Sequence, residues 1–203
     1  MPPKVISIVE GHGEVHAVPV LIRRLANEVM GPPLAVVAPP SIRIARSKVV
    51  KPNELERAVR LAALQAEGKG GIVVILDADD DCPATLGPEL LARARAAIHH
   101  EPQTPVSVVI AKMEFEAWFL AAALSLRGRR GLTADLMPPD DPENKRDAKG
   151  WLSDRMPPNE VYSEVLDQPA LAACMDLNAA RAANSFDKFY RDMVVVLGTL
   201  QQP

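Results

Sequence analysis

Cysteine is scarce in this sequence, and long apolar runs are missing. Cys82 and Cys174 are too few and too far apart for a disulfide framework or a cysteine zinc site. No stretch approaches the ~20 uninterrupted apolar residues of a membrane-spanning helix. The N-terminal residues lead into a strand-like segment without the apolar core of an export signal. We therefore expect a cytoplasmic protein with unpaired thiols and no membrane contact.

An excess of positive charge is also missing. The formal net charge is -3, from 23 Lys and Arg against 26 Asp and Glu, whereas proteins that coat nucleic acid are usually strongly basic. The balance argues against a coating protein. It does not exclude a nuclease, because an acidic metal site subtracts from the charge of any basic groove around it.

Short apolar runs alternate with segments of helical spacing through the first part of the chain. The predicted strands cover residues 4–10, 34–37 with a continuation at 42–44, 72–76 and 106–111. This alternation predicts an α/β fold with a Rossmann-like, mostly parallel sheet that has helices on both faces.

Proline positions predict where two of the helices begin. Pro19 and Pro88 are each assigned to a first helical turn, where a missing backbone N–H has no cost. The first helix should therefore begin near His16 or Ala17.

Three further helix starts are predicted, two of them from capping residues. Asn53 and Glu56 resemble a capping box, a helix is predicted from about Met113, and Ser185 is the expected N-cap of the last helix.

The composition and patterning of the sequence predict three regions. Residues 1–126 form the α/β domain, residues 127–160 an irregular insertion or lobe rich in proline and charge, and residues 161–203 a helical segment that packs on the domain. Trp151 and Leu152 indicate that part of the insertion docks.

Acidic residues follow three of the predicted strands. Glu10 ends the first run, Asp77 and Asp79 end the run at 72–76, and Glu114 and Glu116 follow the run at 106–111. The carboxyl ends of parallel strands share one edge of the sheet, where crowded carboxylates repel one another unless a cation lies among them. The pattern predicts a Mg²⁺ or Mn²⁺ site, and such sites usually handle phosphates.

The first acidic segment is a turn with glycines at 11 and 13, which let the backbone bend sharply near a ligand. Glu10 is a candidate proton shuttle or water-mediated metal ligand. Glu14 is either a second metal ligand or a charge favoured by the helix dipole. His12 is a candidate phosphate contact.

The second acidic segment has four acids in five positions. In extended backbone, Asp77 and Asp79 point the same way, so both can reach one cation. A polar loop with one capping aspartate is the alternative, but it leaves the other acids, including Asp80 and Asp81, unexplained.

In the third segment, a helix would place Glu114 and Trp118 on one face and Glu116 elsewhere. One glutamate would then complete the site while the other is solvated. Lys112 either neutralises a phosphate or pairs with a glutamate.

Three basic clusters would rim a groove for a phosphate chain if they came together; each alone is typical of a solvated surface. The clusters are Arg43, Arg46, Lys48 and Lys51; Arg127, Arg129 and Arg130; and Lys145, Arg146 and Lys149.

The order of these elements and acids resembles the Toprim fold of topoisomerases, primases and OLD-type nucleases. More closely, Val9-Glu10-Gly11-x-Gly13-Glu14, Asp77-Ala78-Asp79-Asp80 and Glu114-Phe115-Glu116-Ala117-Trp118 look like a bacterial family of small Toprim-like proteins of unassigned function. Relatives of that family occur beside ABC-type ATPases in anti-phage defence systems.

The resemblance implies magnesium-dependent phosphodiester hydrolysis of RNA or DNA, with an ABC-type ATPase as partner. By it, Glu10 is the general acid/base, Asp77 and Asp79 are metal ligands, and Glu114 assists. The family's turn carries Ser or Thr where this chain has Gly13. Self-association of the chain is a further expectation.

Two details weigh between hydrolysis and other chemistry. Tyr162 and Tyr190 lie in the C-terminal part, so no tyrosine is expected to act as a topoisomerase nucleophile, and cleavage by activated water is favoured. The alternatives are a non-catalytic metal- or nucleotide-binding regulatory module and a nucleotide-sugar transferase that uses Asp77-x-Asp79. The transferase gives no role to Glu10.

Overall fold

A computed structural model describes residues 2–31 and 36–201, and it has one all-parallel sheet flanked by helices. Within those residues the sheet has four strands in the order β2-β1-β3-β4. The strands are β1 (Val5–Val9), β2 (Ile42–Arg43), β3 (Gly71–Asp77) and β4 (Val106–Ala111). The predicted α/β fold is confirmed. Of the strand predicted at 34–37, residues 34 and 35 lie outside the described residues, and Val37 forms only a bridge with Lys4.

Nine α-helices connect or cover these strands in the described ranges. They are α1 (Glu14–Met30), α2 (Arg46–Val49), α3 (Glu54–Ala66), α4 (Pro83–Ala97), α5 (Ala117–Ala121), α6 (Ala148–Ser153), α7 (Glu164–Cys174), α8 (Leu177–Ala180) and α9 (Asn184–Leu200). None of the helices in this part of the chain has both the length and the apolar character needed to cross a bilayer.

The side chains of the strands alternate between two apolar layers. Val5, Val73 and Val109 face the layer that contains α1, α7 and α9. Ile72 and Ile110 face the layer that contains α3 and α4. Because both faces are covered, the strands are nearly all apolar, and the chemistry is confined to the ends of the strands.

The predicted start of α1 is wrong, because Pro19 lies inside the helix rather than in its first turn. Proline cannot donate to the carbonyl four residues earlier, which here belongs to Val15. The backbone N–H of Ser41 donates to that carbonyl at 3.0 Å instead. The Val15 carbonyl is therefore not left without a partner, and Pro19 can lie inside the helix. The sequence-based prediction had placed the helix start later to avoid an interior proline.

The predicted start of α3 is confirmed, since the helix begins directly after Asn53, but its capping box and two other predicted helix starts are wrong. Asn53 precedes α3 with a positive φ of 67° and makes no side-chain capping bond, while Glu56 pairs with Arg93. In α4 the first-turn proline is Pro83, so Pro88 is interior. The segment from Met113 is a turn, and α5 begins only at Ala117.

The N-terminus of α9 is capped by the insertion instead of by Ser185. The carboxylate of Glu143 accepts the backbone N–H groups of Asn184 and Ser185, both at 2.9 Å. The Ser185 hydroxyl accepts the indole N–H of Trp118 at 2.8 Å. These bonds join the insertion, the last helix and the aromatic cluster around Trp118.

Part of the insertion is ordered and buried, as Trp151 and Leu152 indicated. Both lie on α6 and both side chains are buried. The C-terminal helices α7 and α9 pack against α1, and α9 also packs against β4. The insertion and the C-terminal segment therefore share an apolar core with the α/β layer.

A close approach between α7 and the turn before α1 depends on Gly13. A Cβ at this position would lie 2.2 Å from the Glu164 carbonyl oxygen and 2.3 Å from Gln168 Oε1. We expect Gly13→Ala to lower the free energy of unfolding by about 1–3 kcal/mol, measured in urea, because α7 must move away.

The control is Gly198→Ala on α9, where an added Cβ meets nothing within 4 Å. It should raise stability by about 0.5–1 kcal/mol, because alanine favours a helix. Equal effects at the two glycines would contradict the packing argument.

Candidate functional site

Four carboxyl side chains gather at the carboxyl end of the sheet. Glu10 follows β1, Asp77 ends β3, Glu116 lies in the turn after β4, and Glu14 begins α1. The strand register explains their proximity, since Val9 pairs with Ile75 and Asp77 pairs with Ala111. Three separate segments of the chain therefore deliver negative charge to one edge.

Glu14 is buried, with 2% of its surface exposed. Its carboxylate folds back over the turn and accepts the backbone N–H of Glu10 at 3.2 Å. Burial raises the pKa of Glu14 to about 8; the Gly11 and Glu10 N–H groups oppose that rise, and the charges of Glu116 and Glu10 add to it. Glu14 thus holds the turn together and carries electrostatic strain.

Asp77 lies close enough to the other three acids for their charges to act on it. Burial raises the pKa of Asp77 well above its usual range, and the charges of Glu14, Glu116 and Glu10 raise it further, while Lys149 opposes them. Among residues 2–31 and 36–201, Oδ1 of Asp77 is buried without a hydrogen-bond partner. That oxygen is free to bind a cation.

Glu116 is fully buried. Its Oε1 accepts hydrogen bonds from the Gln168 amide at 2.7 Å and the Tyr162 hydroxyl at 3.1 Å. Its Oε2 is buried and has no partner in the described part of the chain. Burial raises the pKa of Glu116, although Lys149 and Gln168 lower it.

Glu10 is only partly buried. Burial and the charge of Asp79 raise its pKa, while Arg46, the Asp77 backbone N–H and Lys149 lower it. Its Oε2 is buried and has no hydrogen-bond partner within the described ranges. A carboxylate with a raised pKa is a stronger base than an ordinary glutamate, and its free oxygen is available to accept a proton.

Lys149 brings positive charge from the insertion to the acids. Burial acts to lower its pKa, but the charge of Glu116, the bond to Glu164 and the charge of Asp77 together raise it above its ordinary value. The ammonium group pairs with Glu164 on α7. The sequence placed Lys149 only in a scattered basic cluster, because nothing local marks it as a partner of residues more than thirty positions earlier.

Arg46 supplies a second cation from α2. One nitrogen, Nη2, pairs with Asp81, while Nη1 is buried and has no partner among the residues that the structure describes. The guanidinium lies near enough to Glu10 to lower the pKa of that carboxyl group. An unsatisfied cationic N–H at this edge is suited to an anionic ligand.

The predicted residues Asp79 and Glu114 lie at the rim of the acidic edge, where the charge of Asp79 acts on Glu10 and the charge of Glu114 acts on Glu116. The backbone of Asp79 has a positive φ of 51°, so the chain turns after β3, and the side chain is exposed. It therefore does not continue the extended geometry that would align it with Asp77. Oε1 of Glu114 accepts the backbone N–H of Ala148 at 3.1 Å, so Glu114 anchors the first turn of α6, which carries Lys149.

The two candidate phosphate contacts lie at the margin of the site. His12 is exposed in the turn before α1, and Lys112 is partly exposed just after β4. Glu116, in contrast, lies in the site, although the helical spacing predicted that it would point away from Glu114 and Trp118. Its position between Phe115 and the Ala117-Trp118 pair was the available signal that it is buried.

The C-terminal part of the chain also contributes to the site, since the hydroxyl of Tyr162 donates to Glu116. Burial and the charge of Glu116 raise the pKa of Tyr162 far above its usual range. The phenol is therefore held protonated as a hydrogen-bond donor, and the expectation that no tyrosine acts as a nucleophile stays in place.

The four acids fit a hard cation by their chemistry. Mg²⁺ prefers carboxylate oxygens, and Glu10, Asp77 and Glu116 each present a buried oxygen without a partner. Across residues 2–31 and 36–201, however, no three carboxylate, imidazole or thiol groups already form a set that would enclose an ion. Binding would therefore require the side chains to move together.

The raised pKa of Glu14 predicts the pH dependence of stability. The folded protein keeps a proton that the unfolded chain releases, so this stabilisation is complete below pH 4.5 and is lost as the pH rises towards about 8. We expect the free energy of unfolding, measured in urea with EDTA, to fall from about pH 5.5 to about pH 8.5.

Glu14→Gln should make that slope shallower, because the amide cannot ionise, while its oxygen can still accept the Glu10 N–H. The exposed Glu89→Gln is the control and should leave the slope unchanged. An unaltered slope in Glu14→Gln would show that other groups govern the titration.

Comparisons with known proteins give one match. A family model described as "Domain of unknown function (DUF4276)" matches residues 9–194. No curated protein and no solved structure matches the chain. Because the matched residues include all four acids, Lys149 and well over half of the sequence, the chain belongs to the DUF4276 family.

Proposed function

We propose that this protein hydrolyses phosphodiester bonds in RNA or DNA with the help of Mg²⁺ or Mn²⁺. The observation that carries the proposal is the set of buried carboxyl oxygens of Glu10, Asp77 and Glu116, which have no hydrogen-bond partners in the described residues. Buried polar atoms are rarely left without partners unless something else binds them. Oxygen atoms from acids with raised pKa values favour a divalent cation.

In this proposal Asp77 and Glu116 hold the ion, and the exposed Asp79 adds a ligand from the rim. A bound divalent ion supplies polarisation of the phosphate and a more acidic water molecule. Glu14 positions the turn through its hydrogen bonds to the Glu10 and Gly11 N–H groups. Glu114 positions Lys149 through the first turn of α6.

Glu10 is the proposed general base. Its partly buried carboxylate takes a proton as the oxygen of water bonds to phosphorus and the bond to the leaving sugar oxygen breaks. Lys149 and Arg46 face the negative charge that builds on the phosphate from two directions. Preorganised positive charge of this kind stabilises a transition state more than a substrate.

The resemblance to Toprim proteins and OLD-type nucleases supports the same reaction, and it supplies the proposed partner, an ABC-type ATPase. The partner would also account for the low positive charge of the chain. A small module with a net charge of -3 has little general attraction for a polyanion, so the ATPase would bring the nucleic acid to the site.

The direct test is cleavage of single- and double-stranded RNA and DNA with Mg²⁺ or Mn²⁺. We expect Asp77→Asn and Glu10→Gln each to lower the rate by at least ~100-fold, because one removes a charge that holds the ion and the other removes the base. Mg²⁺ should also raise the melting temperature of the wild type more than that of Asp77→Asn.

The matched control is Asp154→Asn, which changes an exposed aspartate at the end of α6. It should cleave at the wild-type rate. Metal-dependent stabilisation with no cleavage of any substrate, with or without an ATPase, would replace hydrolysis by the regulatory metal- or nucleotide-binding module.

A second prediction concerns Lys149. Lys149→Met keeps most of the side-chain volume and removes the charge, so we expect the cleavage rate to fall about 100- to 1,000-fold with little change in substrate affinity. Lys145→Met, at an exposed residue of the same basic cluster, is the control. A change confined to affinity would mean that Lys149 only attracts the substrate.

A further inference from the structure

A cavity of about 390 Å³ lies along the outer edge of β4, between α4 and the N-terminal part of α9. Its wall is mainly apolar and includes Pro83, Gly87, Pro88, Leu91, Val108 and Ile110. Cavities of about 300–1,000 Å³ with mostly apolar walls and a few polar groups are typical of small-ligand sites. None of the proposed catalytic residues lines this cavity, so it has no role in the hydrolysis described above.

The edge of β4 contributes backbone hydrogen-bonding groups to that apolar wall. The N–H of Ile72 donates to the carbonyl of Pro105, and the N–H of Ala78 donates to the carbonyl of Ala111. In a parallel pair, this pattern directs the odd-numbered residues of β4 towards β3 and turns the N–H and C=O groups of Val108 and Ile110 outward. Since β4 ends the sheet in the described residues, and Val108 and Ile110 both line the cavity, these groups point to the edge along which the cavity lies.

Only one charged group in the cavity wall is uncommitted. The Glu143 carboxylate is occupied by two backbone N–H groups of α9, and Lys188 pairs with Asp192. The ammonium group of Lys112 has neither a hydrogen bond nor an ion pair within residues 2–31 and 36–201. Lys112 directly follows Ala111, which pairs with Asp77, so it lies where the cavity meets the acidic edge.

We propose that this cavity binds the base of an unstacked nucleotide whose phosphate contacts Lys112. A base has flat apolar faces that suit the prolines and Leu91, and an edge of donors and acceptors that suits the backbone groups of Val108 and Ile110. Enzymes that act on extruded or single-stranded nucleotides bind bases in this way. Resting on the proposed function, this inference names single-stranded nucleic acid as the substrate class.

The test measures binding without cleavage. The Glu10→Gln protein is titrated in EDTA with each of the four ribonucleoside 5′-monophosphates, with ribose 5-phosphate and with inorganic phosphate, and amide chemical shifts of β4 are followed by NMR. We expect at least one nucleotide to bind about tenfold or more tightly than ribose 5-phosphate, because the base adds stacking contacts that the sugar phosphate lacks. The shifts should centre on Val108 and Ile110.

Two variants and their controls locate the ligand. Gly87→Leu fills the cavity from α4, where an added Cβ would lie 3.7 Å from Ile110, while Gly198→Leu places the same side chain in open space on α9. The first should weaken nucleotide binding about tenfold or more, and the second should not. Lys112→Ala should weaken binding of the nucleotide but not of the nucleoside, whereas Lys69→Ala, an exposed lysine elsewhere, should change neither.

Four results would overturn the inference. They are equal binding of ribose 5-phosphate and nucleotides, no effect of Gly87→Leu in a folded protein, shifts confined to residues outside the cavity, and binding of an extended peptide at the β4 edge with no nucleotide binding. Nucleotide binding without cleavage would leave the inference standing and reject the hydrolase. Cleavage without nucleotide binding would reject this inference and leave the proposed hydrolase standing.

Discussion

The repulsion among four carboxyl groups at one edge of the sheet is the constraint on which the site depends. Glu10, Glu14, Asp77 and Glu116 are brought together by a parallel sheet whose two faces are already covered, so burial of charge adds to mutual repulsion. Two backbone N–H groups, an amide, a phenol and Lys149 offset part of that cost. The repulsion that these groups do not offset raises the pKa values of Glu14 and Asp77. Perturbed pKa values of this kind cluster at functional sites.

The insertion is part of this balance rather than an appendage. Its helix α6 is anchored by the bond from Ala148 to Glu114, and Lys149 on that helix reaches both Glu116 and the α7 residue Glu164. Helix α7 in turn lies so close to α1 that only Gly13 fits between them. The glycine at position 13 therefore has a packing reason, and the position of the Lys149 ammonium group depends on that packing.

The sequence predicted the strands well because they are buried runs of β-branched residues, and the bounds of β4 agree with the prediction. It also predicted which edge carries the acids. It failed where a distant segment decides the outcome: the Ser41 N–H satisfies the carbonyl that Pro19 leaves free, and the turn before α5 directs Glu116 inward instead of outward. Lys149 and Arg46 were missed as site residues for the same reason, since their partners lie far away in sequence.

The order in which these groups are synthesised has its own consequence. Glu10, Glu14, Asp77 and Glu116 all precede Lys149, and N-terminal parts of a chain leave the ribosome first. A nascent chain therefore carries all four acids before the ammonium group of Lys149 exists, so the charge balance of this edge is completed only when the insertion has been synthesised and α6 has folded.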